Sequence, residues 1–196
     1  MYARVVDAAG EGGRLPMPPQ SEWEIFPWEV HDGAIAPKAL RPPADEPARR
    51  GEQGRSCDDC AVDADLVVWE DEHWLLTHRG QPSGLPIVLV LYAREHIDFG
   101  ELDDDLASEY GRISNRLVRI IEHLPDVGRV HVERWGDGGA HMHVWFFART
   151  RRLTGVLGSA APEWNEILPP GPEDVWRADL HAVATKLANW GGTPRA

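Results

Sequence analysis

The sequence is poor in cysteine and lysine, with two of each in 196 residues, and it has no excess of basic charge and no long apolar run. Each shortage excludes something. Two cysteines, Cys57 and Cys60, cannot build the disulfide framework of a small secreted domain, so a reducing compartment is expected. Acidic residues outnumber basic ones 32 to 20, a formal net charge of −12. Such a chain repels a phosphate backbone at long range, which argues against general nucleic-acid binding. No stretch approaches the ~20 apolar residues needed to span a bilayer, so no membrane role is expected. The opening MYARVVDAAGEGG has no apolar stretch of the secretory type. The cytoplasm is therefore the expected location.

What is present divides the chain in three. Residues 1–55 contain eight Pro and six Gly and read as an extended arm. Trp23, Ile25, Phe26, Trp28 and Val30 are too apolar for a free tail, so the arm is expected to lie on the domain or on a partner subunit. Residues 56–152 carry regular patterns and form the central domain. Leu66–Trp69 and Trp74–Leu76 flank a turn and read as a hairpin. Ile87–Tyr92 (IVLVLY) reads as a buried central strand. Asp103 is placed to cap a long helix, with Leu106, Tyr110, Ile113, Leu117 and Leu124 on one face and Pro125 at its end. Val130 and Val132 mark a strand, and His141–Phe147 another. Residues 153–196 form a looser segment with a final helix from about Glu173 to Trp190. This order predicts an α+β fold: an antiparallel sheet with one long packed helix, an N-terminal arm and a C-terminal helix.

Cys57 and Cys60 form a Cys-Asp-Asp-Cys motif. Two thiolates at this spacing suit half of a zinc site, while a redox pair and an incidental pair remain alternatives. The richest stretch is Gly136-Asp-Gly-Gly-Ala-His141-Met-His143-Val-Trp145-Phe-Phe147-Ala-Arg149. Strand alternation sets His141, His143, Trp145 and Phe147 on one face and Met142, Val144 and Phe146 on the core face. Two histidines so placed can ligate one metal or divide metal binding from catalysis. The glycine loop leaves backbone amides free to cradle an anion.

This stretch resembles the signature strand of the histidine triad superfamily, His-φ-His-φ-His-φ-φ-Pro-Arg. His141, His143 and Arg149 match, Ala148 replaces the proline, and Trp145 stands at the third histidine, or the glutamine of the transferase branch. The hairpin, the apolar strand, Tyr92-Ala-Arg-Glu-His96 and the long helix extend the resemblance over about residues 57–149.

The resemblance implies a nucleotide-binding fold acting at the α-phosphate of a small nucleotide or nucleotide conjugate, as a hydrolase or transferase. His143 would be the nucleophile and become nucleotidylated. Gly138, Gly139, Trp145 and Arg149 would bind substrate. A structural zinc on Cys57, Cys60, His96 and His141 is implied, as is a homodimer. Indole cannot act as an acid near neutral pH, so Trp145 opens three possibilities. The leaving group needs no proton, as with pyrophosphate or a sugar phosphate. Alternatively, His131, His123 or His78 supplies one, or catalysis is lost. Glu133 and Asp137 count against a highly charged polyphosphate. Two rival readings follow: a non-catalytic nucleotide-binding or scaffold protein, and a metal-dependent hydrolase using the His-x-His pair.

Overall fold

The computed structural model describes residues 2–17 and 26–196, so Trp23 and Ile25 lie outside the described residues. The fold is α+β. Strands β3 (Val67–Glu70), β4 (Trp74–His78), β5 (Val88–Ala93), β6 (Val127–Glu133), β7 (His143–Thr150) and β8 (Thr193–Pro194) form one sheet in the order β6-β7-β5-β4-β3-β8. All of its pairings are antiparallel. The segment IVLVLY supplies the inner strand β5, whose residues are all buried, as its unbroken apolar pattern requires.

Helix α2 (Asp104–Glu122) follows Asp103, whose side chain accepts from the Leu106 amide at 2.8 Å. Its face of Ile113, Leu117, Ile120 and Ile121 packs on one side of the sheet with Leu76, Leu91, Val144 and Phe146. Burying each such side chain stabilises the fold by roughly 1.5–3 kcal/mol. Helix α4 (Glu173–Ala188), which follows the short α3 (Ala161–Ile167), joins the same layer through Leu180, Val183, Ala184 and Leu187. Two long helices therefore cover this face, where the expectation named one packed helix and a separate C-terminal one.

The opposite face carries several of the candidate site residues. Its near end presents Tyr92 and His143, which are register partners, and its middle presents Trp145. Its far end is covered by a second cluster, in which Val5, Leu85, Val88, Phe147, Val156 and Leu168 pack together.

Several boundaries differ from expectation. The N-terminal segment is not uniformly extended: it holds α1 (Tyr2–Ala8) and a hairpin of β1 (Trp28–His31) and β2 (Ala34–Pro37). Val5 of α1 packs on the domain, whereas Trp28, Val30 and Ile35 of the hairpin are exposed. β7 begins at His143, so His141 lies just before the strand. The last helix stops at Ala188, and the chain returns to the sheet as β8. Gly192 permits this with φ of +75°, and a Cβ there would come within 2.5 Å of the Trp69 ring.

Asp179 on α4 is 8% exposed. Burial, reinforced by the Asp126 carboxylate, pushes its pKa up to about 6. A raised carboxyl pKa means that the folded state holds the proton more tightly than the unfolded state. The resulting cost is absent below about pH 4 and complete above about pH 6. Asp179→Asn is therefore expected to raise stability at pH 7 by about 2 kcal/mol, with the gain vanishing near pH 4. Urea midpoints at the two pH values check this.

Candidate functional site

Cys57 leads into a short helical turn, Asp58–Cys60, that brings both thiols to one side. His96 follows β5, and His141 precedes β7. The antiparallel pairing of these strands brings both histidines to the same end of the sheet. Ligand atoms of Cys57, Cys60, His96 and His141 all lie within 4.8 Å of one another. Cys57 Sγ is 3.4 Å from His141 Nδ1, Cys60 Sγ is 3.5 Å from the same atom, and Cys60 Sγ is 3.2 Å from His96 Nδ1. A tetrahedral zinc with its usual bond lengths separates such donors by roughly 3.4–3.8 Å.

The surroundings fit a cation. His141 is buried, and its Nε2 lies 2.7 Å from the Ala93 carbonyl. Donation there places the proton on Nε2 and leaves the Nδ1 lone pair directed at the thiols. Hydrogen bonds of this kind orient metal-ligating histidines. Burial and the adjacent Cys57 push the Cys60 thiol up to about 11, a cost that a bound cation reverses by favouring thiolate. The arm closes over the cluster at Gly51, whose φ is +88°, and a Cβ there would come within 2.5 Å of the His96 ring. Two thiolates and two imidazoles complete four-coordination, the pattern of a structural rather than a catalytic metal.

His143 points elsewhere. Its Nδ1 lies 2.7 Å from the His141 carbonyl. Donation from Nδ1 leaves Nε2 with its lone pair and no proton. The ring is half-buried and sits 6.1 Å from the Tyr92 ring, centroid to centroid. Burial, with the nearby Asp59 carboxylate, pushes the Tyr92 hydroxyl up to about 12, so it remains a neutral donor. The two histidines of the motif thus divide: His141 joins the Cys/His cluster, and His143 stays outside it. That division removes the geometric basis for a metal-dependent hydrolase using both rings on one ion.

The glycine loop is held by the arm. The Arg50 amide donates to the Gly138 carbonyl at 3.2 Å, and the Ala140 amide donates to the Arg50 carbonyl at 2.9 Å. This bridge uses the carbonyl of Gly138 and no amide of Gly138 or Gly139. Arg49 pairs with Asp98 at 2.8 Å and donates to the Gly136 carbonyl at 3.0 Å, while Arg134 pairs with Asp98 at 3.0 Å. Burial works against the Asp98 carboxylate, but the Phe99 amide and these two guanidinium groups outweigh it and hold its pKa below the ordinary value.

Trp145 stacks on Phe147 at 5.6 Å and 10°, and Trp135 meets both edge-on. Together they line a cleft of about 820 Å³, with Arg79 placed over the Trp145 ring at 5.1 Å. Arg149 is carried away from this end. Six residues of strand separate it from His143 by about 20 Å, and its Nη1 donates to the Leu153 carbonyl at 3.2 Å.

The alternative acids are also dispersed. His78 lies edge-on against Trp176 on the helix side, where burial lowers its pKa. His123 sits at the C-terminus of α2 beside the Arg119 carbonyl. His131 shares the cleft face as the register partner of Phe147, but its ring is packed against Gly158.

Arg49, Arg50, Asp98, Arg79 and the Ala93 carbonyl escape motif reading. The one local signal is the Arg49-Arg50 pair preceding a glycine in an acidic chain.

No family model and no curated protein matches the chain. Among solved structures, it is similar to a hypothetical histidine triad nucleotide-binding protein from Sulfolobus tokodaii strain 7. The two share 14% identity over 68% of this chain and 93% of that one, with a TM-score of 0.49. It is also similar to a zinc-bound histidine triad family protein from Mycobacterium smegmatis, with 16% identity over 66% and 94% of the chains and a TM-score of 0.47. A third likeness is to a uridylyltransferase, with 17% identity, coverage of 67% and 46%, and a TM-score of 0.45. The chain thus spans about half of that protein. In each case the identity is below 20% and the TM-score below 0.5.

Proposed function

We propose that the chain is a nucleotidyl hydrolase or transferase acting at the α-phosphate of a small nucleotide conjugate, with His143 as the covalent nucleophile. One observation carries this reading: the Nδ1 of His143 is committed to the His141 carbonyl, which leaves the Nε2 lone pair available two residues before Trp145, a residue that lines the cleft. A neutral imidazole is a competent nucleophile at pH 7, and a nucleotidyl-histidine divides one displacement into two easier ones.

The Nε2 lone pair forms the bond to phosphorus as the bond to the leaving group breaks. The proton on Nδ1 stays in place, and the His141 carbonyl shares the positive charge that the ring acquires. Water or an acceptor hydroxyl then attacks phosphorus, and the electron pair of the phosphorus–nitrogen bond returns to Nε2. The attacking oxygen loses its proton to solvent. The amides of Gly138 and Gly139, unused by the Arg50 bridge, supply donors toward the phosphate oxygens. Trp145 lines the adjoining cleft. Arg149 is too far along the strand to meet that phosphate and is assigned to holding the turn at Leu153.

Zinc is the metal proposed for Cys57, Cys60, His96 and His141. When bound it would pin the arm to the sheet and hold His141, whose carbonyl orients His143. The protein is further proposed to act as a homodimer in the cytoplasm. No helix among the described residues is long and apolar enough to cross a membrane.

The test is intact-protein mass spectrometry after mixing with nucleoside phosphoramidates, dinucleotides and nucleotide sugars. A nucleotide-sized adduct is expected on wild type and none on His143→Ala. Binding without an adduct or turnover in either protein would instead support a non-catalytic nucleotide-binding protein.

A further inference from the structure

Arg79 stands apart in this acidic chain. Its guanidinium lies over the indole of Trp145 at 5.1 Å on the wall of the cleft, and among the described residues no carboxylate pairs with it. A guanidinium on an aromatic face keeps its edge donors free for an anion. Trp145 is two residues from His143 on the same strand face, about 7 Å along β7. That distance puts the cation within reach of a group attached to a phosphorus at His143 Nε2.

We propose that Arg79, seated on Trp145, receives the leaving group, and that the cleft selects nucleoside diphosphate conjugates in which one phosphate is followed by an uncharged body. This proposal rests on the His143 reading above and names its substrate class. Three features set the class. First, arginine does not give up its proton near neutral pH, so it can stabilise an oxyanion but cannot protonate a departing amine. A phosphate leaving group suits it, and an amine leaving group does not. Second, Glu133 pairs across the strands with Trp145, and Glu166 and Glu173 line the cleft. Second and third phosphates would meet these carboxylates with only one cation to answer them. Third, Trp135, Trp145 and Phe147 offer a ring surface suited to a sugar or another uncharged ring.

The step balances without an added acid. Nε2 bonds to the α-phosphorus, the bond from that phosphorus to the bridging oxygen breaks, and the electron pair stays on the departing phosphate beside Arg79. In hydrolysis, water then supplies the oxygen that releases the nucleoside monophosphate, and a proton passes to solvent.

The experiment compares wild type, Arg79→Gln and Arg79→Lys on ADP-glucose and UDP-glucose, a nucleoside phosphoramidate, a dinucleoside tetraphosphate and a nucleoside 5′-p-nitrophenyl phosphate. For the sugar conjugates, Arg79→Gln is expected to lower kcat/KM by about 10²-fold, with Arg79→Lys intermediate. A clearly smaller loss is expected on the nitrophenyl ester, whose departing phenolate is delocalised and weakly basic and so needs less stabilisation by a cation. Equal losses on both substrates, or no loss on the sugar conjugates, overturn the assignment. Better turnover of the tetraphosphate or the phosphoramidate overturns the substrate class.

Calorimetry in a His143→Ala background separates this from the covalent reading. There Arg79→Gln should weaken nucleotide-sugar binding about tenfold or more and leave nucleoside monophosphate binding unchanged. If wild type forms no adduct but this difference persists, the His143 reading fails and Arg79 stands. If the adduct forms and binding is indifferent to Arg79, the reverse holds. If neither sugar conjugate binds nor reacts, the Arg79 proposal fails, and the His143 reading fails with it only when no other substrate forms the adduct.

Discussion

Cys60→Ser is expected to abolish stoichiometric metal binding and to lower the thermal midpoint by about 10 °C. The wild-type protein should carry one zinc per chain, measured by elemental analysis of dialysed protein. A serine hydroxyl does not replace a thiolate at such a site, and losing one of four ligands opens the tetrahedron. The cluster joins three stretches distant in sequence: the turn at Cys57–Cys60, the end of β5 at His96 and the approach to β7 at His141. Releasing it frees the arm from Arg49 to Cys60 and leaves the buried His141 with Cys57 as its one remaining Sγ neighbour. A loss of about 3 kcal/mol corresponds to about 6–12 °C for a chain of this size. The sheet and α2 should persist, because their core of Leu76, Leu89, Leu91, Leu117 and Phe146 does not touch the cluster. Far-ultraviolet dichroism should therefore change little at 25 °C, while amide exchange in residues 49–60 accelerates. A Cys60→Ser protein with full zinc content and an unchanged midpoint would contradict the assignment.

The second large effect concerns His143. His143→Gly should lower turnover by about 10⁴-fold or more, as expected when a covalent nucleophile is removed. The fold should survive, because the ring is half-buried on the open face and contributes nothing to the core beneath α2. Free imidazole should restore part of the first step by occupying the space of the missing ring, and the product would be the nucleotidyl-imidazole released into solution. Chromatography of that product distinguishes lost nucleophilicity from lost structure. Turnover equal to wild type without imidazole would exclude His143 as the nucleophile.

Much of this site is legible in the chain because its parts are short and periodic. Cys57 and Cys60 are three apart, a spacing that any tight turn converts into a pair of convergent thiols. His143, Trp145 and Phe147 alternate with Val144 and Phe146, and a strand turns that alternation into two faces. The unbroken run IVLVLY and the three–four spacing along α2 specify the central strand and its covering helix in the same way. Trp145 likewise announces, from its position alone, that the usual histidine or glutamine chemistry of the resemblance is missing.

What the pattern leaves open concerns where separate periods meet. Arg149 lies in the matching motif, but strand extension carries it about 20 Å from His143 to the Leu153 turn. His141 reads as a strand residue, yet it sits before β7 because its ring belongs to the Cys/His cluster and its carbonyl to His143. The arm reads as extended chain, and its seating depends on Arg49 reaching Asp98 and Arg50 bridging the glycine loop, both distant in sequence. No local propensity encodes a contact between a guanidinium and a carboxylate so far apart. The same holds for Arg79 on Trp145, where two strands that are not sequence neighbours bring a cation to an indole.

The sequence by itself thus determined the main strands and long helices from Val67 to Ala188, the core face and the residue types able to bind metal and attack phosphorus, because these follow from spacing and side-chain chemistry. Only the tertiary structure gave the division between His141 and His143 a geometry, with one ring against the thiols and the other bonded to a carbonyl, and only it decided which arginine stands over the cleft. Those choices depend on distances between segments that only packing of the sheet brings together.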